Sequence, residues 1–206
     1  MKKALIAGVA SVALAAMPVV GVFAADDIDV QDTIKVTVSP SCTFRASGTG
    51  TLDGTYTATG ANGETVNPST SGDSGTNVHT FNVFCNNNKG YTVTATAQDL
   101  ANIDNASPAI SDKFVYLADL SGLTTTSGWH AAIETITSGI TAAQLPDSAT
   151  EGTSAGTATG TIITRSNSTT ATAGDAWKAT YTAKIGSETK AGNYQGTITY
   201  NLLATN

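Results

Sequence analysis

The residues best suited to chemistry are two cysteines and two histidines spread along the chain: Cys42, Cys85, His79 and His130. A metal site would need more ligands than two distant cysteines and two histidines supply. The cysteines could instead serve as a nucleophilic thiol or form a disulfide, and the redox state of the protein's cellular compartment decides between these roles. A bridge would close a loop of about 44 residues and stabilise the fold by about 4 kcal/mol in the chain-entropy model.

The tetrapeptide Gly72-Asp73-Ser74-Gly75 copies the core of the nucleophile motif of trypsin-like proteases. That chemistry needs a base histidine and an orienting aspartate earlier in the chain, together with an oxyanion hole. Both histidines follow the serine, and the motif lies in a loop rich in Ser, Gly and Thr, where composition alone produces such a tetrapeptide. We therefore expect no catalytic site and no enzyme activity.

Two groups of oxygen-bearing side chains resemble cation ligands. They are Asp26, Asp27, Asp29 and Asp32 near the start, and Asp99, Asp104 and Asn105 in the middle of the chain. Calcium takes several such ligands, but neither group has the spacing or the turn glycine of a known calcium loop. We expect a solvated acidic segment and a polar loop, with no metal and no other cofactor.

The two tryptophans suggest a third chemistry, the stacking of an aromatic ring on a sugar. Trp177 lies in register with Tyr181 and Ile185, which indicates a core position. Trp129, between Gly128 and His130 at the edge of a strand, is the better candidate for a ligand-stacking ring. A core position is the alternative for Trp129 as well.

Composition and charge limit the binding partners, the secondary structure and the number of domains. The 206 residues carry a formal charge of −6, so the chain lacks the clustered Lys and Arg that phosphate contacts require, and nucleic acids are excluded. The 36 threonines and 20 glycines favour strands and turns over helices. The length fits one ordinary domain.

Residues 1–24 are typical of a secretory signal peptide. Lys2 and Lys3 form a positive n-region, Ala4 to Val20 an apolar h-region, and cleavage is expected after Ala24. No basic stop-transfer flank follows, so we expect no membrane insertion after cleavage. The chain is then secreted or held at the cell surface, where a disulfide between Cys42 and Cys85 persists and a free thiol nucleophile would be oxidised.

Strands are predicted by period-2 alternation of apolar residues. The segments are 28–38, ending at Pro40; a threonine-rich stretch at 51–59; 81–85; 91–97; 113–118; 129–136; 177–185; and 194–202. Two antiparallel hairpins are expected, one joining 81–85 to 91–97 and the other joining 177–185 to 194–202. The pattern predicts an all-β fold, an immunoglobulin-like antiparallel β-sandwich with one disulfide, formed by residues 25–206 as a single domain.

Three segments carry a resemblance to known families. Cys85–Val93, with the sequence CNNNKGYTV, resembles the part of spore coat U and archaic chaperone-usher pilin domains that holds their second cysteine. Those families place the first cysteine on an early strand, as Ser41–Thr43 does here, and their last strand often reads like Ala191–Tyr200. The same last strand is also similar to the end of WxL cell-wall-binding domains.

The resemblance implies a surface subunit, structural or adhesive, whose partners are copies of itself or other surface proteins. Its pilin version implies assembly by strand exchange, in which Ile28 and Val30 of one chain fill a groove of its neighbour. The alternative is that this segment forms the first strand of its own sheet. A second hypothesis of function is a carbohydrate or cell-wall binding module that takes cell-wall or host glycans at Trp129.

Overall fold

The computed structural model describes residues 35–46, 56–69, 77–105, 112–147, 156–169 and 174–206. The chain divides into two compact units, Met1–Thr37 and Val38–Asn206, and every described strand lies in the second. Within the described ranges the fold has twelve strands and no α-helix. The expected all-β class is therefore confirmed.

The strands follow one another at short intervals. In chain order they are β1 (Cys42–Ala46), β2 (Thr65–Val66), β3 (Val78–Cys85), β4 (Tyr91–Gln98), β5 (Leu100–Asn102), β6 (Lys113–Tyr116), β7 (Ser127–Thr135), β8 (Thr141–Ala142), β9 (Thr157–Arg165), β10 (Asp175–Lys184), β11 (Tyr194–Gln195) and β12 (Ile198–Ala204).

These strands form two sheets. Sheet A has the order β1-β3-β10-β7-β6-β5-β11, with β2 paired to the end of β10, and sheet B has the order β12-β4-β9-β8. Neighbouring strands are antiparallel except β6 and β7, which run parallel and pair Phe114 with Ser127. The expectation of a purely antiparallel arrangement is corrected by this one pair.

Alternation explains why the long strands form. Burial alternates residue by residue along β4 and along β10, as the sequence pattern predicts for strands with one buried face. Most buried side chains of both sheets belong to one hydrophobic cluster, in which Trp177 and Tyr91 are the largest fully buried residues, whereas Val115 of β6 packs in a second, smaller cluster. Sheets A and B thus share a core.

The two predicted hairpins are wrong, although their strands are present. β3 lies in sheet A, paired with β1 and β10, whereas β4 lies in sheet B, paired with β12 and β9. In the same way β10 and β12 belong to different sheets. Period-2 alternation identifies the buried face of a strand but does not identify the neighbouring strand. In each predicted hairpin, the apolar faces of the two strands line the common core from different sheets.

Strand β9 is the longest element that the sequence pattern missed. Its pairing with β4 shifts register between Val93 and Thr94, which face Ile163 and Thr161. Ile162 is the extra residue of this β-bulge, so the neighbours Ile162 and Ile163 are both buried. The bulge breaks the alternation by which a strand is recognised.

The predicted first strand is wrong over the part that is described. Lys35–Pro40 form no strand, and the side chains of Val36 and Val38 are 80% and 75% exposed. Of the threonine-rich segment 51–59, only 56–59 is described, and it forms a single bridge between Thr57 and Ser69. The predicted signal peptide, residues 1–24, lies outside the described residues.

Candidate binding groove

An open groove of about 650 Å³ runs beside the start of β12. Its lining includes the chain from Tyr194 to Tyr200, the bridged segment around Thr57, Leu100 and Ile103 at β5, and the buried rings of His79, Trp129 and Tyr181. The bridge is closed by two backbone hydrogen bonds between Thr57 and Ser69, of 3.0 and 2.9 Å. The groove is referred to below as the β12 groove.

The backbone of β12, several of whose residues line this groove, has pairing groups on one side that no described strand uses. The carbonyl of Thr197 accepts a hydrogen bond from the last residue of β4 (2.9 Å), and the N–H of Thr205 donates to the glycine before β4 (3.1 Å). In an antiparallel pair, the N–H and C=O groups of alternate residues point to the partner strand. Those of the odd-numbered residues of β12 point to β4. Those of Ile198, Tyr200 and Leu202 point away from it. β12 is terminal in its sheet, and no described strand pairs with its outer side.

Aromatic rings lie beneath the groove as a packed stack. Phe81 stacks on Trp177 with ring centroids 4.1 Å apart and on His79 at 4.2 Å, and the ring of Tyr200 meets Phe81 edge-on at 4.8 Å. The hydroxyls of Tyr181 and Tyr200 are 3.2 Å apart. Aromatic packing of this kind makes the floor apolar and rigid.

Burial keeps the tyrosine hydroxyls of the floor neutral. It raises the pKa of Tyr181 to about 12 and the pKa of Tyr200 well above its ordinary value of 10.0. Ionisation is disfavoured because the charged phenolate would lose its water. The floor therefore carries no tyrosine charge at neutral pH.

Trp129 lines the groove but is buried. The residue is 7% exposed, its indole N–H donates to the carbonyl of Gln98 (3.2 Å), and Tyr116 packs edge-on against it at 5.0 Å. The structure thus places Trp129 in the core, which is the alternative left open for it. Tyr56 and Tyr194, which also line the groove, were not singled out from the sequence.

Cys42 and Cys85 form a disulfide, as expected. The two residues are direct partners in the antiparallel register of β1 and β3. The bridge therefore ties the first strand to the sheet at its edge. Ile28 and Val30, the predicted strand-exchange residues, lie outside the described residues.

The other candidate clusters do not converge where the structure describes them. An Asp99 carboxylate oxygen accepts from the backbone N–H of Tyr116 (2.8 Å), whereas the Asp104 carboxylate accepts from the N–H of Asn193 (2.8 Å). Among the described residues no group of three or more His, Cys, Asp or Glu side chains is placed to hold a metal ion. Residues 70–76, which contain the Gly72–Gly75 motif, and residues 26–32 lie outside the described part of the chain.

A buried ionic network was missed by the sequence reasoning. The Asp175 carboxylate accepts from the Tyr91 hydroxyl (2.8 Å) and pairs with the Arg165 guanidinium (2.8 Å). The side chains of Asp175 and Arg165 are 1% and 10% exposed. An aspartate at the start of an alternating strand was the only signal, and it did not reveal the partner, which lies on a strand of the other sheet.

Comparison with known proteins returns no match: no family model, no curated protein and no solved structure matches this chain. Among the described residues, no helix has the length and apolar character needed to cross a membrane.

Proposed function

We propose that this chain is an exported, non-catalytic surface subunit, structural or adhesive, that assembles with copies of itself by strand exchange. The observation that carries the proposal is the outer edge of β12, which pairs with no described strand and lies beside an apolar groove. A strand added there would complete the ladder of β12 and cover the aromatic floor. Addition of an extended segment to a free sheet edge is a general mode of recognition.

The acceptor side has both parts of a strand-binding site. The outward N–H and C=O groups of Ile198, Tyr200 and Leu202 supply the hydrogen bonds of a new ladder. The same three side chains face the core but are only half-buried, so an added strand has apolar surface left to cover. Seven residues of β12 span about 23 Å, at about 3.3 Å per residue.

The donor side is the segment before β1. Val36 and Val38 are exposed, and they continue an even-numbered apolar series that begins with Ile28 and Val30. An extended chain with this spacing presents all four side chains on one face. Burial of exposed valine and isoleucine side chains stabilises by about 1.5–3 kcal/mol each, which supports a lasting contact between copies.

The remaining features are consistent with the same reading. A disulfide persists in an oxidising compartment, which supports export, and residues 1–24 have the pattern of a signal peptide. Two sheets around one core support an immunoglobulin-like sandwich as the finer description of the fold. The resemblance to coat and pilin domains points the same way.

The experiment is the solution mass of two purified chains, one that begins at Ala25 and one that begins at Ser39. We expect concentration-dependent polymers of the first chain and a monomer of the second, because the second lacks the donor segment. A monomer in both cases would overturn strand exchange.

A matched pair of variants tests the face of the donor that is used. Ile28→Asp combined with Val30→Asp places charge on the apolar face and is expected to abolish the polymers. Gln31→Asp combined with Thr33→Asp adds the same charge on the opposite face and is expected to leave them. Equal effects of the two pairs would contradict the predicted register.

A carbohydrate or cell-wall binding module is the second candidate function. The favouring observation is that Tyr56 and Tyr194 line the same groove and are only partly buried, so that their rings offer surface for stacking on a sugar. A binding module would be monomeric, and its affinity for cell-wall glycan would fall with Tyr56→Ala. Polymers that form without glycan would favour the first candidate.

A further inference from the structure

Three side chains meet at the edge of sheet A that ends in β11. Lys190 lies in the connection between β10 and β11, Asp112 immediately precedes β6, and Asn105 follows β5. Lys190 Nζ lies 3.0 Å from Asp112 Oδ1 and 3.0 Å from Oδ2, and Asn105 Nδ2 donates to the same Oδ2 at 3.1 Å. One carboxylate thus contacts both an amine and a carboxamide.

The backbone fixes both partners near this carboxylate. The strands β5 and β11 are paired, with Tyr194 opposite Asn102. The Tyr194 hydroxyl donates to the carbonyl of Lys190 (2.8 Å), and Asp104, the residue before Asn105, accepts from the N–H of Asn193 (2.8 Å). The amine and the carboxamide are therefore carried by two segments that are already held together.

We propose that Lys190 and Asn105 form an intramolecular amide cross-link, with Asp112 as the proton carrier. The unprotonated Lys190 Nζ attacks Asn105 Cγ, a new C–N bond forms, and the bond from Cγ to Nδ2 breaks. The proton lost by Nζ passes through the Asp112 carboxylate to Nδ2, which leaves as ammonia. No oxidant, reductant or external reactant is required.

The surroundings of Asp112 suit this role. Its side chain is 1% exposed, so its proton exchanges with the groups that touch it rather than with bulk water. Prior positioning of the two reacting groups replaces an encounter in solution by a step within one molecule. Only an unprotonated amine is a nucleophile, so raised pH is expected to accelerate bond formation.

The cross-link would secure an edge that hydrogen bonds hold only weakly. β11 has two residues and closes sheet A at the end opposite β1. β1 is already tied to its neighbour by the disulfide. With the amide in place, both edges of sheet A would be held by covalent bonds, and a surface subunit under tension or protease attack would resist opening at either edge.

The test is the intact mass of the denatured chain that begins at Ala25, followed by a protease digest. We expect a mass lower by one ammonia molecule than the disulfide-bonded sequence requires, and one branched peptide that joins the segments of Lys190 and Asn105. Lys190→Arg keeps a cation beside Asp112 but cannot form this amide, so it is expected to restore the full mass. Lys184→Arg, on β10, is the matched control and should change nothing.

Two results would overturn the proposal. One is the full mass with no branched peptide, even after incubation at raised pH. The other is loss of ammonia that persists in Lys190→Arg, because cyclisation of an asparagine would then explain it. Both readouts are independent of whether the chain polymerises.

Discussion

Replacement of the buried aspartate Asp175 by asparagine is expected to destabilise the fold strongly. Asp175 is 1% exposed and pairs with Arg165, which is 10% exposed, at 2.8 Å. Loss of one partner of a buried ion pair leaves the other charge uncompensated and costs about 3–5 kcal/mol. Asparagine keeps the shape and still accepts from the Tyr91 hydroxyl, so the lower end, about 3 kcal/mol, is expected.

The assay is equilibrium unfolding in urea together with thermal melting. A loss of about 3 kcal/mol corresponds to a fall in Tm of about 6–12 °C for a domain of this size. The double variant Arg165→Met with Asp175→Asn removes both charges and should recover part of the loss.

The matched control is Glu134→Gln, which breaks the surface pair with Lys178. The two side chains of that pair are 55% and 34% exposed, so a cost below about 1 kcal/mol is expected. A loss for Asp175→Asn no larger than that of the control would refute the assignment of this network as a major tie between the sheets.

Three further perturbations test other parts of the fold. Cys42→Ser combined with Cys85→Ser should lower the free energy of unfolding in urea by about 4 kcal/mol, since the bridge spans a sequence separation of 43. Unfolding of the unmutated chain that is the same with and without reductant would contradict this. Gly90→Ala should lower the free energy of unfolding by at least about 1–3 kcal/mol, because φ at Gly90 is +82° and a Cβ there would collide with a backbone carbonyl. The control Gly122→Ala places its Cβ in open space and should change that free energy by less than about 0.5 kcal/mol. Equal losses for the two variants would be inconsistent with the backbone described. The pKa of Tyr181 in the folded protein is raised from 10.0 to about 12, so its contribution to stability, about 2–3 kcal/mol, is complete below pH 10 and is lost as the pH rises toward 12. Tyr181→Phe should therefore flatten the fall in stability with pH. An identical pH profile for the variant would count against the buried hydroxyl.

Sequence patterning identified those long strands in which apolar residues alternate without interruption. β4 and β10 were predicted almost to the residue, and burial alternates along both. The same logic failed for β9, where the bulged Ile162 places two apolar residues in succession. It failed also for Lys35–Pro40, whose alternation is not matched by burial within the described residues.

Strand neighbours could not be predicted from alternation at all. A short connection such as Asn86–Gly90 suggests a hairpin, yet here it carries the chain from one sheet to the other. The Asn87 side chain holds this crossing, since its amide donates to the carbonyls of Gly90 (2.9 Å) and Thr205 (2.6 Å). A contact to a residue 118 positions away leaves no trace in local periodicity.

Most of the candidate groove could not be predicted from the sequence. Its residues come from seven separate stretches of chain, and what makes it a site is the outer edge of β12, with which no described strand pairs. Trp129 was selected because tryptophan is the usual stacking ring, and the chosen residue does line the groove, although it is buried. The half-buried side chains of Ile198 and Tyr200 looked like ordinary core residues in the pattern.

Amide hydrogen exchange tests strand exchange most directly. The chain that begins at Ser39 is measured alone and with a synthetic peptide of residues 25–40 in excess. The account predicts that the outward N–H groups of Ile198, Tyr200 and Leu202 exchange more slowly once the peptide is added, whereas Thr199 and Asn201, which point to β4, are already slow. Unchanged exchange at the three outward amides at saturating peptide would contradict it.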